Sequence, residues 1–144
     1  MAEMMFRLIH GTCELHQPMK HDIEWLSEND SEKLNAHLVL AGQKPMEDER
    51  YRALYRNGVA RYCLLYNNGV PVARGAVEPY SEDAWEAADI RTAREYRRRG
   101  FAKEILRFLS REILAHKKIA TCRTEEDNLP MQKVLQFVGY SLCG

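Results

Sequence analysis

The chain has 144 residues, with 21 basic and 21 acidic side chains, and its length fits a single domain. Because the net charge is zero and no basic stripe runs along the sequence, the composition argues against nucleic acid as a partner. The longest apolar runs span only a few residues, far fewer than a bilayer requires, so we expect no membrane segment.

The first half of the chain begins with a short strand-like run, MFRLIHG, at residues 5–11. Residues 20–57 have apolar side chains at steps of three and four, which predicts helices over this range. Gly42 is placed to end the first helix, Pro45 to open the second, and Gly58 to end it. We therefore expect two helices after the first strand.

The middle of the chain changes to the period of strands. Two strand-like runs flank Asn67, Asn68 and Gly69, and Asn-Gly is a strong hairpin signal because both residues accept positive φ. A further strand is predicted at residues 84–93. Simple alternation places Glu86, Ala88, Ile90 and Thr92 on one face and Trp85, Ala87, Asp89 and Arg91 on the other.

The last third alternates helix and strand. A helix is predicted from Phe101 to about His116, then a strand at residues 118–124, a helix closed by Gly139, and a short strand at residues 140–142. The order β-α-α-β-β-β-α-β-α-β predicts an α/β (α+β) domain over residues 1–144, with a mixed sheet flanked by helices.

The stretch YRRRGFAKEIL places three arginines, Arg97, Arg98 and Arg99, and then Gly100 between the predicted strand and helix. The first amides of a helix have no partner within the helix, and the helix dipole leaves partial positive charge there. Such an end binds phosphate, and arginine adds forked donors that suit phosphate oxygens. The alternative is a solvated basic turn. We refer to residues 97–100 as the arginine loop.

The arginine loop carries a family resemblance. Arg97–Ala102 resembles the [Q/R]-x-x-G-x-[G/A] pyrophosphate loop of the GNAT superfamily of N-acetyltransferases. Asn128 follows the next strand, as in that family, and Phe137–Tyr140 (FVGY) resembles the family's closing x-x-G-F. The predicted order of elements over residues 5–142 also fits. The resemblance therefore covers nearly the whole chain, with the motifs in residues 84–140.

The resemblance implies acetyl-CoA as the acetyl donor. The pyrophosphate would bind the amides of Arg98, Arg99, Gly100, Phe101, Ala102 and Lys103, with the arginine side chains around it. The pantetheine arm would pair with the backbone of Ile90 and Thr92, like an added strand, where this strand separates from its neighbour. Asn128 would bind the pantetheine amide; otherwise it caps the helix that follows.

The implied reaction is direct transfer of the acetyl group to a primary amine of a small molecule or peptide, without a covalent enzyme intermediate. A base must take a proton from the amine, whose pKa lies near 10. Glu86 is the candidate, because its spacing matches a position where several family members place a catalytic glutamate. Three acidic residues after the next strand are rivals: Glu125, Glu126 and Asp127.

Two departures from the family pattern leave alternatives open. The position of the family's tyrosine acid, counted from Asn128, holds Leu135, so Tyr140, Tyr80 or water would have to substitute. The alternative function is thus a coenzyme-binding module that has lost catalysis. The family's last full strand also has no counterpart after residue 142, which favours either a trimmed domain or a homodimer in which a second chain covers that edge.

The remaining side chains set weaker expectations. Glu78, Glu82 and Asp83 could attract a cationic amine as the acceptor. The histidines have no ligand spacing and the four cysteines form no C-x-x-C pair, so no metal site is expected. Because the N-terminal residues do not resemble a signal peptide, we expect a cytoplasmic protein.

Overall fold

The computed structural model of the chain describes residues 2–8 and 11–143. Seven strands form one sheet: β1 (Glu3–Leu8), β2 (Asp22–Trp25), β3 (Arg61–Asn67), β4 (Val70–Glu78), β5 (Ala84–Thr92), β6 (Ile119–Glu125) and β7 (Ser141–Leu142). Four helices flank it: α1 (Ser31–Leu40), α2 (Asp48–Arg56), α3 (Phe101–Ala115) and α4 (Leu129–Val138). The strand order is β2-β3-β4-β5-β6-β1-β7. Among the described strand pairs, only β5 and β6 run parallel.

The predicted fold class, a mixed sheet flanked by helices, is confirmed. The predicted hairpin joins β3 and β4, with Asn68 at φ 52° and Gly69 at φ 79°. Positive φ at both central residues is the geometry that matches the twist of the two strands. Gly42 and Gly58 follow α1 and α2 with φ of 73° and 65°, as expected of residues that end helices.

The prediction of a helix at residues 22–25 is wrong, because this segment is strand β2. Asp22–Trp25 pairs antiparallel with β3, from Asp22 opposite Tyr66 to Trp25 opposite Cys63. A four-residue segment has too few side chains to fix its period, so pairing with the edge of β3 decides its conformation. Helix α2 also begins at Asp48 rather than at Pro45.

Strand β1 lies inside the sheet, between β6 and β7. It begins at Glu3, two residues before the predicted start, and Ile9 and His10 of that prediction lie outside the described residues. All six residues of β1 pair with β6, from Glu3 opposite Glu125 to Leu8 opposite Ala120. The flank of β6 that faces away from β5 is therefore covered by the chain's own first strand. On its other side β1 pairs only at Phe6 and Arg7, with the two-residue edge strand β7, and the expectation that a second chain covers this edge stays a prediction.

Residues 11–21, which we call the crossing segment, lead from β1 near one edge of the sheet to β2 at the other. The segment passes over α3 and is held by that helix. Arg111 donates from Nε to the Leu15 carbonyl at 2.6 Å, and Arg107 donates to the Glu14 carbonyl at 3.5 Å. Leu15 is buried in the core. Helix α3 thus fixes the path that allows the N-terminal strand to join the sheet.

The two faces of the sheet carry separate apolar cores. The face under α3 and α4 buries Phe6, Leu65, Ala73, Ala87, Ile105, Leu109, Cys122 and Leu135. The face under α1 and α2 buries Leu34, Leu38, Tyr51, Tyr62, Leu64 and Ala76. Helix α3 approaches β4 so closely that a Cβ on Gly75 would lie 2.6 Å from Cγ2 of Ile105. This contact fixes α3, and with it the arginine loop, against the middle of the sheet.

Candidate active site

The arginine loop reverses the chain between β5 and α3 by way of two left-handed residues. A short 3-10 turn, Arg94–Tyr96, leads from β5 into the loop. Arg98 has φ 67° and Gly100, which precedes the first residue of α3, has φ 83°. A Cβ on Gly100 would meet no heavy atom within 4 Å, so crowding does not demand glycine here. The positive φ demands it, and the space above the residue is open.

Most amides of the arginine loop and of the first turn of α3 are unpaired in the described part of the chain. The Arg97 amide donates to the Arg94 carbonyl at 3.4 Å, and the Glu104 amide donates to the Gly100 carbonyl at 3.1 Å. Between them, the amides of residues 98–103 have no hydrogen-bond acceptor in the described part of the chain. Six consecutive donors are therefore available to an anion at the positive end of a 15-residue helix.

Positive charge surrounds these amides. Within residues 2–8 and 11–143, none of Arg97, Arg98 and Arg99 pairs with a carboxylate. Arg97 donates from Nε to the Thr92 carbonyl at 3.2 Å, and the Arg99 guanidinium lies 5.3 Å from the centre of the Tyr96 ring. Lys103 lies in the first turn of α3, with Nζ 3.6 Å from Oε1 of Glu14. The loop thus presents three uncompensated guanidinium groups.

Strands β5 and β6 separate beside the arginine loop. They pair only at the beginning of β5, and the last pair joins Glu86 and Thr121. Residues 87–92 of β5 have no strand partner on the side of β6. The backbone edge at Ile90 and Thr92 is therefore open to a ligand that lies between the two strands, although the Thr92 carbonyl already accepts from Arg97.

A β-bulge corrects the predicted faces of β5. Opposite Arg74–Ala76 of β4, strand β5 advances by one extra residue, and Asp89 has φ 50°. The bulge turns the Asp89 side chain towards Tyr62 and Arg74, on the same face of the sheet as Glu86. Ile90 packs against the core under α3, and Thr92 lies opposite Ala73 of that core. The prediction that Glu86 shares a face with Ile90 and Thr92, and that Asp89 points the other way, is wrong.

The carboxylates of Glu78, Glu86 and Asp89 lie on the face of β4 and β5 that is on the same side of the sheet as α1 and α2. Glu86 is 6% exposed, and its Oε1 accepts from Nε and NH2 of Arg123 at 3.0 and 2.7 Å. Glu78 lies directly opposite Glu86 in the ladder. Burial raises the pKa of Glu78, and the nearby charges of Glu86 and Asp89 add to this rise. The two glutamates therefore differ in their surroundings, since only Glu86 has a cationic partner among the described residues.

Arg123 is the residue of this group that the sequence analysis missed. It alternates with the buried residues Ala120 and Cys122 of β6, and that pattern places it on the opposite face. The pairing of Arg123 with Glu86 depends, however, on the parallel register of β5 and β6. The register that pairs Ala84 with Ile119, far along the chain, is not encoded in the local pattern.

The candidate acid positions differ in their access to the site. Leu135, at the family's tyrosine position, is fully buried in the core. The Tyr140 hydroxyl is paired with Ser110 Oγ at 2.7 Å, and burial raises its pKa far above the ordinary value. Tyr80 is exposed, with its hydroxyl 3.0 Å from Oγ1 of Thr121 on the face that holds Glu86. Of the two tyrosines proposed as substitutes, only Tyr80 is placed to exchange a proton with a ligand.

Asn128 and the acidic residues before it lie at the end of β6. Asn128 caps α4, because its Oδ1 accepts from the Met131 amide at 3.2 Å. Its side-chain nitrogen has no acceptor in the described part of the chain and can still donate to a ligand. Glu125, Glu126 and Asp127 are exposed; Glu125 is the last residue of β6, and the other two follow it.

Two kinds of feature are absent from the described residues. No group of three or more histidine, cysteine, aspartate or glutamate side chains among them is arranged to hold a metal ion. No helix in residues 2–8 and 11–143 has both the length and the apolar character that crossing a bilayer would require.

Solved structures with the same fold carry acetyltransferase names. An acetyltransferase of the GNAT family from Colwellia psychrerythraea superposes with a TM-score of 0.74 at 16% identity, over 98% of this chain and 52% of that one. A ribosomal-protein-alanine N-acetyltransferase from Brucella melitensis biovar Abortus 2308 gives 0.61 at 18% identity, over 81% and 88%. AAC(6')-Iy, in complex with the bisubstrate analogue CoA-S-monomethyl-acetylneamine, gives 0.65 at 16% identity, over 83% and 90%.

At these identities the structures establish the fold alone. The chain spans 47% to 59% of the length of five of the structures that it matches, so those proteins are much longer. No protein of curated function matches the sequence significantly. The family is established by the sequence itself, since the model of the acetyltransferase (GNAT) family matches residues 16–140. The chain belongs to the acetyltransferase (GNAT) family.

Proposed function

We propose that this chain transfers the acetyl group of acetyl-CoA directly to a primary amine of a small molecule or peptide. The observation that carries the proposal is the run of six unpaired amides at residues 98–103, beside three arginines without carboxylate partners. A diphosphate offers the charge and the acceptor oxygens that such an end of a helix lacks.

In this proposal the coenzyme follows the opening between β5 and β6. Its pyrophosphate binds the amides of residues 98–103, with Arg97, Arg98 and Arg99 around it. Its pantetheine arm pairs with the backbone edge at Ile90 and Thr92, and Asn128 donates to it from the side-chain nitrogen. The unpaired edge of β5 after Glu86 supports this path, because an extended ligand there would complete the ladder.

The acetyl transfer needs two protons to leave the amine nitrogen, because an amine with a pKa near 10 is an ammonium ion at neutral pH. The base takes the first proton, and the neutral nitrogen then attacks the thioester carbonyl carbon. The carbon–sulfur bond breaks, and the nitrogen gives up its second proton to water. A backbone amide of β5 stabilises the oxyanion that forms. The departing thiolate has a pKa around 8.5 and leaves without obligatory protonation; it then takes its proton from Tyr80 or water.

Glu86 remains a candidate base, and Glu78 is the second. Arg123 donates two hydrogen bonds to Oε1 of Glu86, so this oxygen is already occupied and is less available to accept a proton from an amine. Glu78 has no such partner among the described residues, and burial raises its pKa. A carboxylate with a raised pKa is better matched to proton transfer near neutral pH, so these surroundings favour Glu78.

A second candidate function is a coenzyme-binding module without catalysis. The buried Leu135 at the family's tyrosine position favours it, because no acid is available there. Both functions share the coenzyme site and differ only in turnover.

Calorimetric titration with acetyl-CoA tests the shared site, and S-acetyl-pantetheine, which lacks the pyrophosphate, is the matched ligand. We expect acetyl-CoA to bind and S-acetyl-pantetheine to bind far more weakly. Equal affinity for the two would contradict the phosphate site. Release of free thiol from acetyl-CoA in the presence of a panel of amines is then measured. Thiol release with any amine indicates an enzyme, and its absence with all of them indicates a coenzyme-binding module without catalysis.

A further inference from the structure

The bulge in β5 places an aspartate where the backbone favours glycine. Asp89 has φ 50°, a left-handed conformation that costs an ordinary L-residue about 1–2 kcal/mol. Bulges with a left-handed first residue usually have glycine there. A non-glycine residue persists in such a conformation when its surroundings hold it.

A buried arginine holds Asp89. Arg74 is 4% exposed and donates from Nε to Oδ2 of Asp89 at 3.1 Å and from NH2 to Oδ1 at 2.9 Å. The Tyr62 hydroxyl donates to Oδ2 at 3.1 Å. The two parallel bonds fix the plane of the carboxylate, which a single methylene group separates from the strained backbone.

The third nitrogen of the Arg74 guanidinium, NH1, contacts residues on and just after α1. NH1 donates to Oε1 of Gln43 at 2.5 Å and lies 3.2 Å from Nε2 of His37. His37 Nδ1 is 2.8 Å from the Pro71 carbonyl, so Nδ1 carries the proton and Nε2 accepts from Arg74. His37 is completely buried, and its burial lowers its pKa. Neutral His37 can therefore accept this hydrogen bond.

We propose that Arg74 is a positioning residue that holds Asp89 in the left-handed conformation and thereby sets the backbone of β5 for the coenzyme. The inference rests on the proposed function, because it concerns the same coenzyme path. The bulge lies directly before Ile90 and Thr92, whose backbone edge is open after β5 leaves β6. Without the bulge, the alternation of β5 would shift by one residue, and the backbone groups of Ile90 and Thr92 would no longer point into the opening between β5 and β6.

Substitutions at Asp89 separate the conformation from the charge. Asp89→Gly and Asp89→Ala remove the same carboxylate and leave Arg74 without the same partner. They differ in the cost of positive φ, which glycine adopts freely. We expect Asp89→Gly to retain the affinity for CoA and Asp89→Ala to weaken it by about 5- to 30-fold, the factor that about 1–2 kcal/mol of backbone strain represents. Equal losses in both variants would show that the charge acts by itself and would overturn the proposal.

A second comparison does not depend on the folding of Asp89→Ala. Arg74→Met leaves Asp89 with only the hydrogen bond from Tyr62 and should weaken CoA binding, and adding Asp89→Gly to Arg74→Met should restore it. If Arg74 only stabilised the fold, its loss would lower the melting temperature of both Arg74→Met and the double variant, and Asp89→Gly would not restore the affinity for CoA. Persistent loss of affinity in the double variant, with circular dichroism spectra unchanged, would refute the positioning role.

The wild-type titration separates this inference from the proposed function. If the unaltered chain does not bind CoA, the proposed function fails first. If the unaltered chain binds CoA and Arg74→Met binds it equally well, only the positioning role fails.

Discussion

At the scale of single residues, the candidate site is set by backbone conformation as much as by side chains. Three left-handed residues, Asp89, Arg98 and Gly100, lie within 12 positions of one another around the opening between β5 and β6. Each one turns amides or side chains away from the regular path of strand or helix. Substitutions that alter φ should therefore affect ligand binding more than their small change in volume suggests.

Gly100→Ala tests the phosphate site, with Gly69→Ala as its matched control. Both glycines have φ near 80° and open space where a methyl group would lie, so both substitutions should cost about 1–2 kcal/mol of stability. Only Gly100→Ala adds a methyl group beside the unpaired amides. We expect it alone to weaken CoA binding, by about tenfold or more, as measured by calorimetry. Equal affinities in the two variants would place the coenzyme elsewhere.

Thr92→Val tests whether the coenzyme uses backbone or side chain at this position. Oγ1 of Thr92 is buried without a hydrogen-bond partner in the described structure, which costs stability. Replacing it should raise the free energy of unfolding by about 1 kcal/mol and leave CoA affinity unchanged. The control is Thr121→Val, which removes bonded Oγ1 contacts to Tyr80 and Trp85 and should destabilise the chain. Weaker CoA binding in Thr92→Val would assign the hydroxyl to the ligand.

Glu78→Gln and Glu86→Gln distinguish the two candidate bases. A base acts only when deprotonated, and the pKa of Glu78 is raised above its ordinary 4.5, so activity should fall as pH drops towards that raised value. We expect Glu78→Gln to lower kcat/KM by about 10²–10⁴-fold and to abolish this fall in activity at low pH, the acidic limb of the pH profile. Glu86→Gln should retain the acidic limb. The opposite result, with the limb lost only in Glu86→Gln, would return the role to Glu86.

At the scale of elements, the sequence predicts those parts whose signals are local. The apolar period of α3, the Asn-Gly hairpin and the turn into α3 at Gly100 each occupy a single stretch of chain, and all are present. Strand β2 was missed because its four residues form a strand only through pairing with β3. The place of β1 depends on pairing with β6, more than 110 residues away, which no local pattern encodes.

The candidate site likewise has a part that a local stretch of sequence predicts and a part that depends on contacts between distant segments. The arginine loop is one contiguous motif and could be read directly. The contact of Arg74 with Asp89 and His37 joins three segments that come together only in the folded sheet. The bulge at Asp89 could not be foreseen either, because aspartate is not the residue that marks a left-handed position most clearly. Simple alternation therefore gave the wrong faces for Ile90 and Thr92.

Phe6→Ala tests the contribution of strand β1. Phe6 is 1% exposed and packs in the core under α3, whereas its neighbour Met5 is only half-buried on the opposite face. Truncating a buried phenylalanine typically costs about 3–5 kcal/mol, so Phe6→Ala should lower the midpoint of urea unfolding strongly. Met5→Ala is the matched control and should cost much less. Near-equal midpoints would mean that β1 is not an integral strand of the sheet.

At the scale of the whole molecule, His37 joins α1 to the sheet and makes global stability depend on pH. It is completely buried, with its ring held between the Pro71 carbonyl and the Arg74 guanidinium. Burial lowers its pKa, and the nearby charge of Arg74 acts in the same direction. The unfolded chain therefore binds a proton on His37 more readily than the folded chain does.

Because the unfolded chain binds this proton more readily, the folded chain should become less stable as the pH falls. Below the ordinary histidine pKa of 6.5, the unfolded state gains a proton that folded His37 does not, so stability should fall with decreasing pH by up to about 1.4 kcal/mol per unit. His37→Gln removes this contribution, and its stability should depend less on pH between 6.5 and 5. Urea unfolding of both proteins across that range measures the difference of slopes. Parallel slopes would mean that His37 takes up its proton as readily in the folded chain, and that its contact with Arg74 does not require the neutral ring.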